Sequence, residues 1–259
     1  MTKKLQSITN KSAPLLALAV ILIIWYICNE REIVPAYMLP SPTDVAKAFI
    51  DNFSIMMKQA AVTLQEAVYG LLIGIVLAFI VSVLMDNFSF LRKAIYPILV
   101  ITQTIPTIAI APLLVLWMGF GMAPKITLVV ITTFFPIAIG LLGGFESVDE
   151  NAIHLMRAMG ANKFQIFRYT KLPGAAPSFF SGLRISASYA VVGAVVSEWL
   201  GGFEGLGVYM TRVKKAYAFD RMFAVIVFIS VISLLLMLLV TLLEKAVMPW
   251  QNKENTTKK

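Results

Sequence analysis

The sequence predicts an all-α fold: a polytopic membrane bundle of six transmembrane helices. Three observations carry that reading. Of 259 residues, 59% are hydrophobic and 14% charged, whereas a soluble domain carries roughly 45–50% apolar and about 25% charged residues. The apolar residues are gathered into six long runs that reach or approach the roughly 20 needed to cross a hydrocarbon core about 30 Å thick. Backbone groups in lipid must be hydrogen-bonded internally, which leaves helices or closed barrels, and the alternating segments of a barrel are absent.

The spans fall at about 13–28, 61–85, 94–118, 122–145, 178–200 and 222–246 of one transmembrane domain, 1–259. Lys3, Lys4 and Lys11 precede the first, which resembles a signal peptide. Ile27-Cys28-Asn29-Glu30 is a poor cleavage site, so a retained anchor is expected. Between the first two spans, Leu39-Pro40-Ser41-Pro42-Thr43-Asp44 opens a surface helix at the outer membrane face. Thr43 or Asp44 would cap it, and Val45, Ala48, Phe49 and Ile55 give its apolar face. Pro97, Pro106 and Pro112 fall in the third span, Pro124 and Pro136 in the fourth. Each removes a backbone hydrogen bond, and three in one span predict a broken, pathway-lining helix with Pro106 and Pro112 as pathway candidates.

Small residues recur every fourth position in the second span (Gly70, Gly74, Ala78, Ser82) and in the fifth (Gly182, Ser186, Ala190, Ala194). Such rows let helix backbones approach closely, within one subunit or between two. Each row also continues to a carboxylate, Glu66 and Glu198, near the outer end of its span. Intramembrane carboxylates are costly. They are expected to reach water and help pack or gate the mouth, or else to form an electronegative vestibule facing cargo.

One cysteine (Cys28) and one histidine (His154) exclude an internal disulfide and a metal site built on Cys/His clusters. No cofactor is expected. The net charge of +8 sits at helix ends, where membrane orientation needs it, so nucleic acid is not an expected partner. With both termini cytoplasmic, the inward segments hold 13 Lys/Arg and the outward ones eight, Arg184 lying inside a span; the cluster at 212–221 dissents. Cytoplasmic termini are the expectation.

The loop 146–177 is the most informative segment. Asp149 or Ser147 can cap a helix that includes Glu150 and continues to Met159. Gly160 permits a left-handed turn into Ala161, and a second short helix runs to about Tyr169, closed by Leu172-Pro173. Ile153, Met156, Phe164 and Phe167 form apolar faces with no core of their own beneath them, which points to a cytoplasmic protein partner.

Gly160, nine residues, then Thr170-Lys171-Leu172-Pro173 resembles the end of the coupling motif of bacterial ABC-importer permeases. Leu39-Pro40-Ser41-Pro42, the proline-rich third span, Phe134-Phe135-Pro136, Gly182-Leu183-Arg184 and Gly205-Leu206-Gly207 are similar to the nitrate/sulfonate/taurine type. His154-Leu155-Met156 stands at the family's Glu-Ala-Ala positions and Thr170 replaces an aliphatic residue, so the polar contacts to the ATPase, including those of Asp149, Glu150, His154 and Arg157, are open. The resemblance implies a type I ABC-importer permease fold in the plasma membrane. It also implies a separate ATP-binding subunit in two copies, an extracytoplasmic substrate-binding protein and a second copy of this chain. No phosphate loop is present, since Gly119 to Lys125 has the wrong spacing, so the chain is not expected to be an enzyme. A stand-alone secondary transporter would need a carboxylate relay or a repeated half, and a membrane enzyme a nucleophile–base pair.

For cargo, Ser197-Glu198-Trp199-Leu200-Gly201-Gly202 and Gly205-Leu206-Gly207-Val208-Tyr209-Met210 resemble permeases for thiamine's pyrimidine precursor. Sulfonate and taurine permeases often have arginine where Glu66 stands. A hydroxymethylpyrimidine-type precursor ranks first; an alkanesulfonate, taurine or nitrate is the alternative.

Overall fold

The computed structural model describes residues 2–35 and 37–249, with side chains from Ala13 onward. The terminal lysines counted above, Lys3, Lys4, Lys11, Lys253, Lys258 and Lys259, lie outside the described side chains. Among the described residues every regular element is helical, and the chain divides into two compact units, Met1–Lys58 with Tyr209–Phe228, and Gln59–Val208 with Ile229–Lys259.

In the first unit, α1 (Thr2–Glu30) and α2 (Pro42–Asp51) are joined by the proline-stiffened stretch. Trp25 Nε1 donates to the Pro40 carbonyl at 3.0 Å and Asn29 to that of Leu39 at 2.8 Å, which satisfies backbone acceptors that a proline-rich chain leaves without helical partners. The cap of α2 is Ser41, accepting from the Asp44 N–H, rather than Thr43 or Asp44. The correction has a simple cause: Pro42 is pre-organised for the first helical position, so the residue before it becomes the cap. Val45 and Ala48 are buried with Ala224 against Trp25, Phe49 and Phe223. Ile55 does not join them; it lies exposed on the next helix.

The second unit is built around one helix. α6 (Met122–Glu146) runs between α3 (Phe53–Asn87) and α9 (Leu172–Gly201), and both small-residue rows face it. A Cβ on Gly70 would collide with the Val129 side chain, and one on Gly74 would stand 2.5 Å from Thr133 Oγ1. From the other side, a Cβ on Gly182 would run into the Pro136 carbonyl oxygen. All eight row positions are buried. The rows therefore pack within one chain. Hydroxyls support the contacts: Ser82 donates to the Ala138 carbonyl at 3.0 Å and Ser186 to that of Thr133 at 2.7 Å. Pro136 withholds an N–H from this part of α6, and neighbouring serines commonly re-satisfy acceptors beside a membrane-helix proline.

The third predicted span is broken, as its prolines imply. α4 (Ser89–Thr102) and α5 (Thr107–Met118) meet at 101° across a short break, residues 103–106. Pro97 and Pro112 stay inside their helices, and the break falls at Pro106, which precedes α5. Among the described residues, five helices are long and apolar enough to cross a membrane, or six if the bent pair is one span. The last, α11 (Phe219–Val247), carries Glu244, which is ion-paired with Arg184 of α9; the arginine counted inside a span is thus neutralised within the bundle.

Candidate functional site

Three places in the second unit bring chemistry-bearing residues together. The first is the hairpin. α7 (Glu150–Ala158) is capped by Asp149, whose carboxylate accepts from the Asn151 N–H at 2.9 Å. Gly160 has φ +83°, a left-handed conformation that costs a side-chain-bearing residue roughly 1–2 kcal/mol. Asn162 and Gln165 then form a reciprocal capping box over α8 (Lys163–Ile166), which satisfies two orphan N–H groups at once. Ile166 is buried and Phe167 rests on Phe145 with ring centroids 5.7 Å apart. Ile153 and Met156 are half-buried, whereas Leu155, Met159, Phe164 and Tyr169 are 63–74% exposed. Phe164 therefore belongs to the outward face, not the inner one. His154, Glu150 and Arg157 are exposed as well, and Ala161 half-buried.

Leu172-Pro173 does not close this hairpin. A π-helical turn, Phe167–Lys171, joins α8 directly to α9, which starts at Leu172 and carries Pro173 in its first turn. Proline is tolerated there because its missing N–H has no helical partner to lose, and the wider π turn re-aims the chain without breaking it. The hairpin and the fifth span are one helical rod, Lys163–Gly201. Lys171 anchors its base through both oxygens of Asp86 at 2.8 Å.

The second place is a buried polar knot. Glu66 and Glu198 are 0% and 1% exposed, so the expectation that they reach water does not hold. Glu66 Oε1 accepts from Lys125 Nζ at 2.6 Å, and this lysine, an outward-facing cation by sequence, is itself buried near the start of α6. Glu198 accepts from the Thr63 hydroxyl at 2.7 Å and from the Gly207 N–H at 2.6 Å. Gln59 takes the Gly205 N–H at 2.7 Å and Thr63 the Leu206 N–H at 2.9 Å. Three successive donors at the start of α10 (Leu206–Lys215) are thus met by side chains of α3 and α9. A helix N-terminus leaves such donors orphaned and its dipole favours an anion there. Gly205, at φ +119°, admits the contact: a Cβ would overlap the Glu198 carboxylate. Sequence reasoning missed Lys125, Gln59 and Thr63, whose only signal was a polar residue near an apolar run. Glu66 Oε2 is buried and accepts no hydrogen bond among the described residues.

The third place is the break itself. Residues 103–106 are non-helical and exposed. Irregular backbone at membrane depth is tolerated against protein or water but not against lipid. Pro112 lies further on, exposed, in α5. A groove of about 550 Å³ runs from Gln103 along α6 and α9 past Phe135, Ser181 and Tyr189.

A helical membrane bundle with a bent span and a projecting hairpin fits a multi-pass membrane transport component. Its family is known: the chain matches, over residues 70–249, the model described as the inner membrane component of binding-protein-dependent transport systems, and it belongs to that family of ABC-importer permeases. It is similar to the formylaminopyrimidine transport permease protein ThiX of Halalkalibacterium halodurans, at 37% identity over 93% of this chain and 96% of the relative. The riboflavin transport system permease protein RibX of Chloroflexus aurantiacus is 30% identical, over 90% of this chain and 88% of its own. The taurine transport system permease protein TauC of Escherichia coli is 27% identical, over 91% and 88%. Among solved structures, the inward-facing MetNI methionine ABC transporter superposes with a TM-score of 0.67 at 22% identity, covering 75% of this chain and 97% of that one. That likeness supports the type I importer permease fold.

Proposed function

We propose that this permease carries a pyrimidine precursor of thiamine across the plasma membrane, driven by a separate ATPase that docks on the α7–α8 hairpin. The observation that carries the cargo is the 37% identity to a formylaminopyrimidine permease over nearly the whole chain. The lower identity to a taurine permease ranks the sulfonates second. The observation that favours docking is the exposed apolar face of Leu155, Met159, Phe164 and Tyr169 on a rigidly capped hairpin. Exposed apolar patches rimmed by polar residues mark interaction sites. Here the rim is Asp149, Glu150, His154 and Arg157, the groups facing the partner, with Gly160 and Ala161 setting the turn and Ile153, Met156, Phe167, Leu172 and Pro173 holding its inner side.

One hairpin serves one ATPase subunit, so two copies of this chain and two ATPases complete the assembly, with a binding protein delivering cargo on the opposite face. Both termini and the hairpin are cytoplasmic in this reading, and the broken span at Pro106 and Pro112 lines the path. Glu198 acts as a lock on the start of α10 and Glu66 as the partner of Lys125, rather than as cargo ligands.

Uptake of labelled formylaminopyrimidine, hydroxymethylpyrimidine, riboflavin and taurine in a deletion strain complemented with the whole transporter tests the cargo. Pyrimidine uptake restored above the others is expected; restored taurine or riboflavin uptake without it overturns the assignment. Orientation is tested with an impermeant thiol reagent on intact cells in a Cys28→Ser background. Lys47→Cys should react and His154→Cys should not; the reverse pattern inverts the topology.

A further inference from the structure

We infer that the groove between α6 and α9 is a recognition site within the permease for a planar, uncharged nitrogen heterocycle, read by Gln103, Ser181 and Tyr189. The inference rests on the functional reading above and deepens it. The groove is lined by the second half of α6 (Phe135, Ile139) and the first two thirds of α9 (Ser178, Ser181, Ile185, Tyr189), with Gln103 entering from the break. Gln103, Ser181 and Tyr189 are exposed. Polar side chains at membrane depth do not face lipid without cost, so this surface faces water or another polar group. Among the described residues the hydroxyls of Ser181 and Tyr189 make no hydrogen bond, and the Gln103 amide makes one long contact, 3.4 Å to Thr102 Oγ1. These groups are therefore free to bind something that passes.

The chemistry of the lining selects the occupant. No residue lining the groove is charged. The nearby cation of α9, Arg184, is held by Glu244, and Lys125 is held by Glu66. A sulfonate or nitrate would have to shed water here with no positive charge in return, which is unfavourable. A neutral heteroaromatic ring fits better. Tyr189 and Phe135 offer ring faces for stacking, and a primary amide supplies a donor and an acceptor together, the complement of an amino group beside a ring nitrogen. At about 550 Å³ the groove falls within the roughly 300–1,000 Å³ of small-molecule sites. Its floor is fixed: a Cβ on Gly140 would stand 2.7 Å from the Ser178 carbonyl oxygen, so α6 and α9 touch backbone to backbone and cannot close it by approaching further.

The test uses the complete transporter. Single-cysteine Ser181→Cys, in the Cys28→Ser background, is treated with an impermeant maleimide in right-side-out and inverted vesicles during turnover, with and without hydroxymethylpyrimidine. Labelling from at least one side, slowed several-fold by the pyrimidine and not by taurine, is expected. In parallel, initial uptake rates are compared for Gln103→Leu and Gln103→Asn at matched amounts of assembled complex. The leucine variant should lose roughly five- to tenfold in pyrimidine uptake, the worth of about one hydrogen bond, with the asparagine variant recovering most of it. Tyr189→Phe should retain more uptake than Tyr189→Ala. Absence of labelling from both sides, labelling indifferent to pyrimidine, or Gln103→Leu transporting like wild type overturns this inference while the cargo assignment stands. Failure of the wild-type transporter to move any pyrimidine removes the cargo assignment and this inference together.

Discussion

The polar knot around Glu198 and the hairpin around Gly160 belong to the same compact unit but leave opposite groups unsatisfied. In the knot, two carboxylates and a lysine are taken out of solvent, and the chain supplies nearly every partner they need. In the hairpin the helix starts are capped by side chains, yet four large apolar residues stand in the open. The contrast separates groups used up inside the fold from groups left open. Charged groups at membrane depth, the usual first suspects for function, are consumed in holding α3, α6, α9 and the start of α10 together. The surfaces left with unmet demands are the hairpin's apolar face and the groove's neutral polar groups, the two places proposed above for a partner and for cargo.

The sharpest way to break that division is to unpair the knot. Glu66→Ala leaves Lys125 buried without its partner, and removing one member of a buried pair typically costs about 3–5 kcal/mol. The expected outcome is a large drop in thermal stability in detergent and poor accumulation in the membrane. The double variant Glu66→Ala/Lys125→Met should recover much of that loss, since neither member of the pair is then left buried alone. A Glu66→Ala protein as stable as wild type would show that the pair does not hold the bundle together.

A smaller loss is expected from Gly182→Val. Its Cβ meets the Pro136 carbonyl oxygen, and overpacking a tight contact costs roughly 1–3 kcal/mol. Thermal denaturation followed by fluorescence-detected size exclusion would measure it. Gly143→Ala, by contrast, meets nothing within 4 Å and should be nearly silent in the same assay.

Modest effects on stability are expected in the hairpin, and they sharpen the comparison because the functional loss there should be large. At Gly160 a Cβ would meet no atom within 4 Å, so Gly160→Val is opposed only by its positive φ, at about 1–2 kcal/mol. Phe164→Ala removes a side chain already 72% exposed and should change stability by less than about 0.5 kcal/mol. Both variants should insert and fold, yet lose co-purifying ATPase and transport. Full transport with normal co-purification in either would take the docking role away from this face.

Much of this arrangement is legible in the sequence. Hydropathy places the long helices because the lipid requirement is local and strong. The turn at Gly160 is readable because a glycine between two short apolar-faced helices supplies the left-handed residue that such a hairpin needs. The break in the third span follows from its prolines, although only Pro106 marks it. The unreadable parts are those decided by distant partners. Lys125 looks like a loop cation until Glu66, fifty-nine residues away, is seen beside it. Ser41 outcompetes two good caps because of the proline that follows it. Leu172-Pro173 reads as a stop, yet a π turn upstream lets the helix run on. The carboxylates stand out in the sequence, but their surroundings do not, since sequence shows depth along a helix and not what lies across from it.

That uninterrupted run has a mechanical consequence. At 1.5 Å per residue, the 39 residues of Lys163–Gly201 form a shaft about 60 Å long. One end is seated in the hairpin, its middle is the wall of the groove, and its far end carries Glu198. It can bend at two places near its base, the π turn Phe167–Lys171 and Pro177 in α9, the features at which helices kink. Beyond those two points Ser181, Tyr189 and Glu198 stand on one stretch of helix, so a tilt passed through the base would reach both the groove wall and the residue that holds the start of α10.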